Sequence, residues 1–400
     1  MSFPDSIAAG HARHWRASAV LTNGFRPFFL AAALWAAAAL GVWMLVFRTG
    51  LALPSRFAPL DWHIHEMLFG FVMAAVAGFL LTAIPNWTRR LPVSGAPLAV
   101  LAGLWLMGRI ACLVSAWLPA WTAVAADLAF PVALAFIVAR EIIAARNRRN
   151  FAIILPVTVL GIANLLMHLE ALGVGIAAGL GWRLGLAAIL VLVSVIAGRI
   201  VPGFTRNWLA ARHIAPLPAQ HGLADRLALG TLHAGLFGWA LFAQFAPLGW
   251  LLIAGGACNL WRLARWQGVK TTAEPLVTVL HLAYGWIGVG AGLLGASMLT
   301  KEVPQSAGIH AMTVGAIGMM ILAVMTRATR GHTGRPLTSS AGTNLLYGCV
   351  MLAAMLRVVA AFGGPRAMME LDAAAALWIA GFVLFLVHYA PMLLLPRVQR

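Results

Sequence analysis

Residues 61–70, DWHIHEMLFG, place Asp61, two histidines and Glu66 at the start of a long apolar segment. Asp61 is a candidate helix N-cap, because its carboxylate can accept a hydrogen bond from a free backbone N–H. His63 and Glu66 are three residues apart and therefore share one face of a helix, whereas His65 points elsewhere. Imidazoles bind transition metals, and a neighbouring carboxylate can orient them or transfer a proton. The stretch predicts a metal site with His63 and His65 as candidate ligands and Glu66 as the orienting or proton-transferring group.

Two stripes of small residues accompany histidines. Small residues at positions 70, 74 and 78 follow Glu66, and glycines at 285, 288, 292 and 295 follow His281. Such a stripe lets a second helix approach closely, and it equally suits a flat haem whose iron takes an axial imidazole. Both interpretations remain open for His281, which is a further candidate metal ligand.

A third group lies in the segment that begins at His310 and ends in the cationic sequence TRATRGHTGRP, residues 326–336. His310 is another candidate ligand. Arg327, Arg330 and His332 belong to the cationic sequence, which can bind anionic lipid headgroups or the propionates of a haem. The methionines of this segment are interpreted as packing residues, although methionine also binds Cu(I).

The composition places these groups in a membrane protein. The chain has 400 residues, of which 62% are hydrophobic and only 10% charged, and its mean hydropathy is +0.89. These values exclude an ordinary soluble protein. The three cysteines are far apart and form no CxxC pattern, so they are interpreted as buried small hydrophobes. Signatures of nucleotide-driven transport, c-type haem and zinc hydrolases are also missing from the sequence.

The fold class predicted is all-α, a polytopic membrane bundle of about twelve helices that forms a single domain over residues 1–400. A helix needs about 20 apolar residues to cross a bilayer. The segments of this length are 28–47, 66–86, 96–116, 121–140, 152–171, 184–203, 227–245, 248–264, 275–297, 308–326, 341–361 and 374–394. The boundary between the seventh and eighth segments, near Pro247, is the shortest connection.

The basic residues predict the orientation. Alternate sides of this layout hold 21 and 6 Lys and Arg residues, and one further Arg falls within a segment. The positive-inside rule then places both termini, and the segment 1–24, in the cytoplasm. The formal charge of +17 is therefore assigned to loop topology and contact with the lipid bilayer rather than to nucleic-acid binding. The N-terminus has no apolar stretch typical of a removable signal peptide.

A weak internal repeat suggests how the helices are grouped. Thr-Arg pairs recur at positions 88–89, 205–206 and 326–327, each at the end of a segment and four segments apart. Three four-helix units are one explanation. The alternative is that arginine simply gathers at the cytoplasmic ends of membrane helices.

Six motifs together resemble the NnrS family. They are GFRPFFL (24–30), WHIHEMLFGF (62–71), GFLLTAIPNWT (78–88), RIVPGFTRNWL (199–209), LHLAYGWI (280–287) and VMTRATRGHTGRPL (324–337). The resemblance implies a bacterial inner-membrane protein that contains haem b and copper and takes part in nitric oxide metabolism and resistance to nitrosative stress. It places His63, His65, Glu66, His281 and His332 inside matching motifs without settling which binds iron and which copper.

The leading hypothesis is therefore a haem and copper protein that binds or reduces nitric oxide, with electrons from an unknown donor. Two of His63, His65 and His310 are expected to bind metal, with His281 as the candidate on the cytoplasmic side. Two alternatives remain open. One is a transporter or scaffold in which Glu66 carries protons, and the other is a nitric oxide sensor without turnover.

Overall fold

The computed structural model describes residues 19–146 and 148–398, which form twelve long helices, several short helical turns and no β-strand. The long helices, α1 to α12 in chain order, are Phe25–Thr49, Pro59–Thr88, Ala96–Leu113, Ala120–Ala144, Ile154–Ala171, Leu180–Ala210, Leu223–Leu241, Pro247–Ala264, Pro275–Ser297, Gln305–His332, Ala341–Ala361 and Ala367–Leu394. Each coincides with one predicted segment, so the all-α polytopic bundle is confirmed. Residues 1–18 of the predicted N-terminal segment lie outside the described residues.

Ten of the twelve helices are long and apolar enough to cross a membrane. The other two, α7 and α8, are less apolar because they carry a buried ion pair, in which Arg262 Nε donates to Asp225 Oδ1 over 2.7 Å. Exposed apolar side chains such as Leu34, Phe136 and Leu155 are distributed over the outside of the bundle. In a membrane these side chains contact lipid rather than water.

The helix α2 begins earlier than predicted, and this changes the position of its polar residues. It starts at Pro59 with Ala58 in the capping position, so Asp61 lies within the first turn and the prediction of an Asp61 N-cap is wrong. Proline is well suited to the first helical position, because its missing N–H would have no intrahelical partner there. As a result His63 and His65 lie within the helix, beside protein on several sides.

The helices α2, α6 and α10 contact one another at the centre of the bundle. Around them, consecutive helices pack side by side, and α12 returns to pack against α1. Each central helix is the second of a set of four, and each carries one of the three Thr-Arg pairs near its C-terminal end. This packing fits the proposed three four-helix units.

Because successive helices run in opposite directions, the polar residues gather at two ends of the bundle. One end contains His63, His65, His168 and His310 and is called the histidine end below. The opposite end contains Arg89, Arg206 and Arg327 and is called the arginine end. Two helices widen into a π-helical turn at the histidine end: Glu66–Val72 directly follows His65 in α2, and Ala311–Gly318 directly follows His310 in α10. Such turns are frequent at functional sites.

The small-residue stripes are filled by neighbouring helices. A Cβ added at Gly78 would lie 2.7 Å from the Phe29 ring of α1, and one added at Gly256 of α8 would lie 2.6 Å from the Gly288 carbonyl oxygen of α9. Backbones that approach this closely are typical of membrane-helix contacts made by small residues. The helix-packing interpretation of the glycines after His281 is therefore the one the contacts support.

Arg26, in the GFRPFFL motif, connects the two ends of the chain. Its side chain is 3% exposed and its Nη1 donates to the carbonyl oxygens of Leu393 and Leu395, over 2.8 and 2.7 Å. The last carbonyls of a helix lack intrahelical donors, and a cation is favourable beside them. Arg26 thus caps α12 and closes the ring between α12 and α1.

We expect Arg26→Met to lower the free energy of unfolding by about 1–3 kcal/mol, because it removes the donors of buried carbonyl groups. Thermal unfolding of the purified protein in detergent would measure this. Arg48→Met is the matched control, since Arg48 forms only an exposed ion pair of 3.7 Å with Asp372. Equal stability of the two variants would contradict the capping role.

Candidate functional site

A cavity of about 550 Å³ lies at the histidine end between helices of the first, second and third units. Its wall is mainly apolar, with indole and phenyl rings from Trp43, Phe71, Trp182 and Trp378. Cofactor sites in proteins have volumes of about 300–1,000 Å³ and combine an apolar wall with a few polar groups. The polar groups here include His63 of α2, His310 of α10 and Arg357 of α11.

His310 is oriented by its own helix. Its Nδ1 lies 2.8 Å from the backbone carbonyl oxygen of Ser306, an atom that can only accept a hydrogen bond. Nδ1 therefore carries the proton, and Nε2 of the neutral ring keeps its lone pair. This arrangement, in which one imidazole nitrogen donates to a carbonyl and the other is free to bind, is typical of metal-ligating histidines.

His63 lines the same cavity, but unlike that of His310 its Nδ1 is not held by a hydrogen bond within the described part of the chain. Its ring stacks on Trp43 of α1 with centroids 4.8 Å apart, and its buried Nδ1 has no hydrogen-bond partner among the described residues. A buried polar atom without a partner is costly and marks a position where a ligand or water completes the bonding. Arg357 adds a half-buried positive charge to the cavity wall, suited to a carboxylate of a bound molecule.

A second group of polar residues lies on the other side of α2 and is called the buried cluster: Glu66, Arg109, Asp127, His65 and His168. All are at most 4% exposed. Arg109 of α3 donates to both oxygens of Glu66 over 2.9 Å and also pairs with Asp127 of α4. Trp35 of α1 donates to Glu66 over 2.7 Å. The cluster therefore links the first five helices at the histidine end.

The histidines of the buried cluster both face Asp127. Nε2 of His65 and Nε2 of His168 lie 3.1 and 3.0 Å from the same oxygen, Asp127 Oδ2. His65 Nδ1 lies 3.0 Å from Glu66. The sulfur of Cys112 is close to the same atoms. Four ligand atoms lie within 4.8 Å of one another, one each from His65, Cys112, Asp127 and His168. Nitrogen, oxygen and sulfur atoms at this spacing can hold a metal ion.

The structure separates the predicted site residues into three places. His63 and His310 share the cavity, whereas His65 and Glu66 belong to the buried cluster. His63 and Glu66 both contact α1, through Trp43 and Trp35, as their spacing indicated. The remaining candidates, His281, His332, Arg327 and Arg330, lie toward the arginine end and do not line the cavity.

The residues at the arginine end have partners of their own. His281 Nε2 is 2.7 Å from the Thr205 hydroxyl, the His332 ring packs beside Phe25 and the Arg327 guanidinium lies 4.1 Å from the centre of the Phe204 ring. Arg330 donates to the Pro336 carbonyl over 2.7 Å. Because these histidines lie toward the opposite end of the bundle from His63, His65 and His310, a single site cannot contain both groups.

Arg109, Asp127, Cys112 and His168 were not predicted as site residues. A usable signal exists for two of them, because Arg109 and Asp127 are ionisable residues inside apolar segments, and such residues mark functional sites or ion pairs. Cys112 is buried as predicted, but the sequence does not indicate that its sulfur lies beside two imidazoles.

The comparisons with known proteins identify one family. The model of the NnrS protein family matches residues 19–397, nearly the whole chain. No curated protein matches the chain.

We expect Arg109→Met to destabilise the protein by about 3–5 kcal/mol, because Glu66 and Asp127 would remain buried without a counter-charge. Thermal unfolding in detergent would measure the loss. Arg140→Met is the control, as Arg140 is about half exposed and its partner Glu141 keeps a second bond to Arg90. Adding Glu66→Gln to Arg109→Met should recover part of the stability, and an additive loss in the double variant would argue against the charge explanation.

Proposed function

We propose that this chain, which belongs to the NnrS family, is a membrane protein that holds haem b and copper and binds nitric oxide. The observation that carries the proposal is the cavity at the histidine end, where His63 and His310 face one largely apolar space. The family resemblance supplies the cofactors and the ligand, and the donor groups of the cavity fit a haem.

His310 is the residue best prepared to bind haem iron. Its Nδ1 proton is held by the Ser306 carbonyl, so Nε2 is available without a change of tautomer. A ring fixed in this way loses little rotational freedom when it binds a metal. In the proposal His310 is the residue that would hold the haem iron.

His63 and Arg357 complete the binding of haem. His63 would contribute a second imidazole to the haem site. The Trp43 ring holds this imidazole in place by stacking, and no described residue bonds to its Nδ1. Arg357 offers its guanidinium to a propionate. The apolar wall excludes water from the rest of the porphyrin.

The haem would supply the iron that binds nitric oxide, while the chain controls access to it. Nitric oxide is small and weakly polar, so it can reach an apolar cavity from the bilayer. The family resemblance implies a bacterial inner-membrane location, and the distribution of Arg residues supports an orientation with the arginine end and both termini in the cytoplasm. The histidine end would then face the periplasm, and reduction of nitric oxide would need an electron donor that is still to be identified.

We expect His310→Gln to lose haem, measured as the Soret absorbance of purified protein and the haem content of its extracts. His63→Gln should keep haem and change the position of its Soret band. His233→Gln is the control, because His233 is also a buried histidine but binds Ser194 over 2.8 Å away from the cavity. Full haem content in both cavity variants would overturn the ligand assignment.

Two measurements on haem-loaded protein with an artificial electron donor would separate the three functional hypotheses. The absorption spectrum reports binding of nitric oxide, which the proposal predicts as a shift of the Soret band, and a nitric oxide electrode reports its consumption. Consumption of nitric oxide in the same assay would make the protein an oxidoreductase, whereas binding without consumption would support a sensor. Wild-type protein with neither haem nor copper would contradict the proposal and favour a transporter or scaffold.

A further inference from the structure

The buried cluster does not take part in the binding of haem proposed above. His63 and His65 are two residues apart, which corresponds to about 200° around a helix, so His65 points away from the cavity. Phe57, in the segment before α2, stacks on His65 with ring centroids 4.6 Å apart and also contacts His168. The two imidazoles are therefore buried and shielded from water.

The ligand atoms of the buried cluster converge on one point. His65 Nε2 and His168 Nε2 approach the same Asp127 oxygen, and the Cys112 sulfur completes a set of four within 4.8 Å. In a tetrahedral site with metal–ligand bonds of about 2.0–2.3 Å, the ligand atoms lie roughly 3.3–3.8 Å apart. The two nitrogens are 3.1 and 3.0 Å from Asp127 Oδ2, and an increase of a few tenths of an ångström in these distances would make room for an ion.

The surrounding groups hold the ligand atoms in a binding orientation. Glu66 accepts a hydrogen bond from His65 Nδ1, and Nε2 of the same ring faces both Asp127 Oδ2 and Asn164 Oδ1, each at 3.1 Å. Arg109 holds the other oxygen of Asp127, so Oδ2 faces the histidines. A carboxylate that accepts from the far nitrogen of a metal-binding histidine is a common supporting feature of metal sites, and its loss typically weakens metal affinity about 10- to 100-fold.

The charges of the cluster are compatible with a bound cation. Glu66 and Asp127 carry two negative charges, and Arg109 supplies one positive charge within hydrogen-bond distance. Without a metal ion the second positive charge is that of the His65 ring, whose Nδ1 faces Glu66 and whose Nε2 faces Asp127 and Asn164 oxygens. A metal ion would replace the Nε2 proton, and either Cu(I) with a neutral thiol or a divalent ion with the Cys112 thiolate leaves the total charge of the cluster unchanged.

We propose that His65, His168, Asp127 and Cys112 form a copper site. Two imidazoles and a sulfur suit copper and zinc, and a given set of such ligands binds copper more tightly than zinc. The inference rests on the proposed function, because it assigns the second metal of that proposal to specific ligands. The sequence predicts that two of His63, His65 and His310 bind metal, and the proposal gives His65 a site separate from that of His63 and His310.

The test is a measurement of copper affinity on the full-length protein in detergent. Cu(I) is titrated under anaerobic conditions against a chromogenic Cu(I) chelator, and bound copper is counted by elemental analysis. Wild-type protein should bind one copper per chain at the cluster. His168→Gln and Cys112→Ser should each lower the affinity at least ten-fold, and Cys112→Ser should remove the copper–sulfur contribution from the X-ray absorption spectrum.

Matched substitutions separate loss of the site from loss of the fold. Cys349→Ser and His233→Gln replace the same residue types outside the cluster and should leave copper affinity unchanged. Haem content and a single size-exclusion peak report that the cluster variants are folded. Copper bound equally by wild type and both cluster variants, or no copper bound by folded wild type, would overturn the proposal and leave the cluster as a charge network with a protonated His65. Zinc bound in preference to copper would overturn the choice of metal.

The two proposals fail separately. Loss of haem in His310→Gln with copper retained supports both. Wild-type protein that binds copper at the cluster but no haem would overturn the haem site alone. Wild-type protein with haem but no copper would overturn the copper site alone.

Discussion

The histidine end of the bundle depends on one guanidinium. Two carboxylates lie at membrane depth on α2 and α4, and Arg109 of α3 bonds to both. Taking charges out of water costs several kcal/mol for each ion, and only close pairing with complete hydrogen bonding offsets that cost. Because Arg109 must reach both Glu66 and Asp127, three helices have little freedom to slide past one another. Trp35 and His168 extend the same constraint to α1 and α5.

This constraint on α2 also positions the cavity residues. Glu66 is fixed by Arg109 and Trp35, so the adjoining turn is fixed with it, where His63 faces the cavity and His65 faces the buried cluster. A single helix thereby carries ligands for two different sites, on opposite faces. Since α2, α6 and α10 touch at the centre, the position of α2 also determines how His310 of α10 approaches the shared space.

The sequence predicted the helices well but not which side chains contact each other across helices, and both outcomes have physical reasons. Runs of apolar residues mark helices in such a chain, so all twelve helices and their approximate bounds followed from the sequence, and ten of them are long and apolar enough to span a membrane. The GFRPFFL motif could be recognised, but nothing local shows that Arg26 caps a helix more than 360 residues later. Similarly, the spacing of His281 and its glycines suits a haem or a helix equally. Only the position of α8 against those glycines favours helix packing.

The site residues were predicted in part. Histidines are rare enough in membrane helices to be noticed individually, and the π-helical turns follow two of them. The two-residue spacing of His63 and His65 predicted that the rings point to different sides of α2, but it did not predict which helix each ring faces or that His310 shares the cavity with His63. Cys112 and His168 join His65 only because α3 and α5 pack near α2, and such long-range contacts leave no local pattern.

Buried charge alone does not identify a functional site in this molecule, because the bundle holds a second network that resembles the first. In that network Arg262 bonds to Asp225 and to the Tyr284 hydroxyl, which donates to Asn259. There Asp225 also pairs with Arg265 over 3.5 Å, and the Asn259 amide donates to backbone carbonyls of α7 and α8. The buried cluster differs in one respect: nitrogen, oxygen and sulfur ligand atoms converge there within 4.8 Å of one another. Converging ligand atoms are a specific reason to expect a bound cation, whereas a network of ion pairs and hydrogen bonds alone needs only to hold helices together.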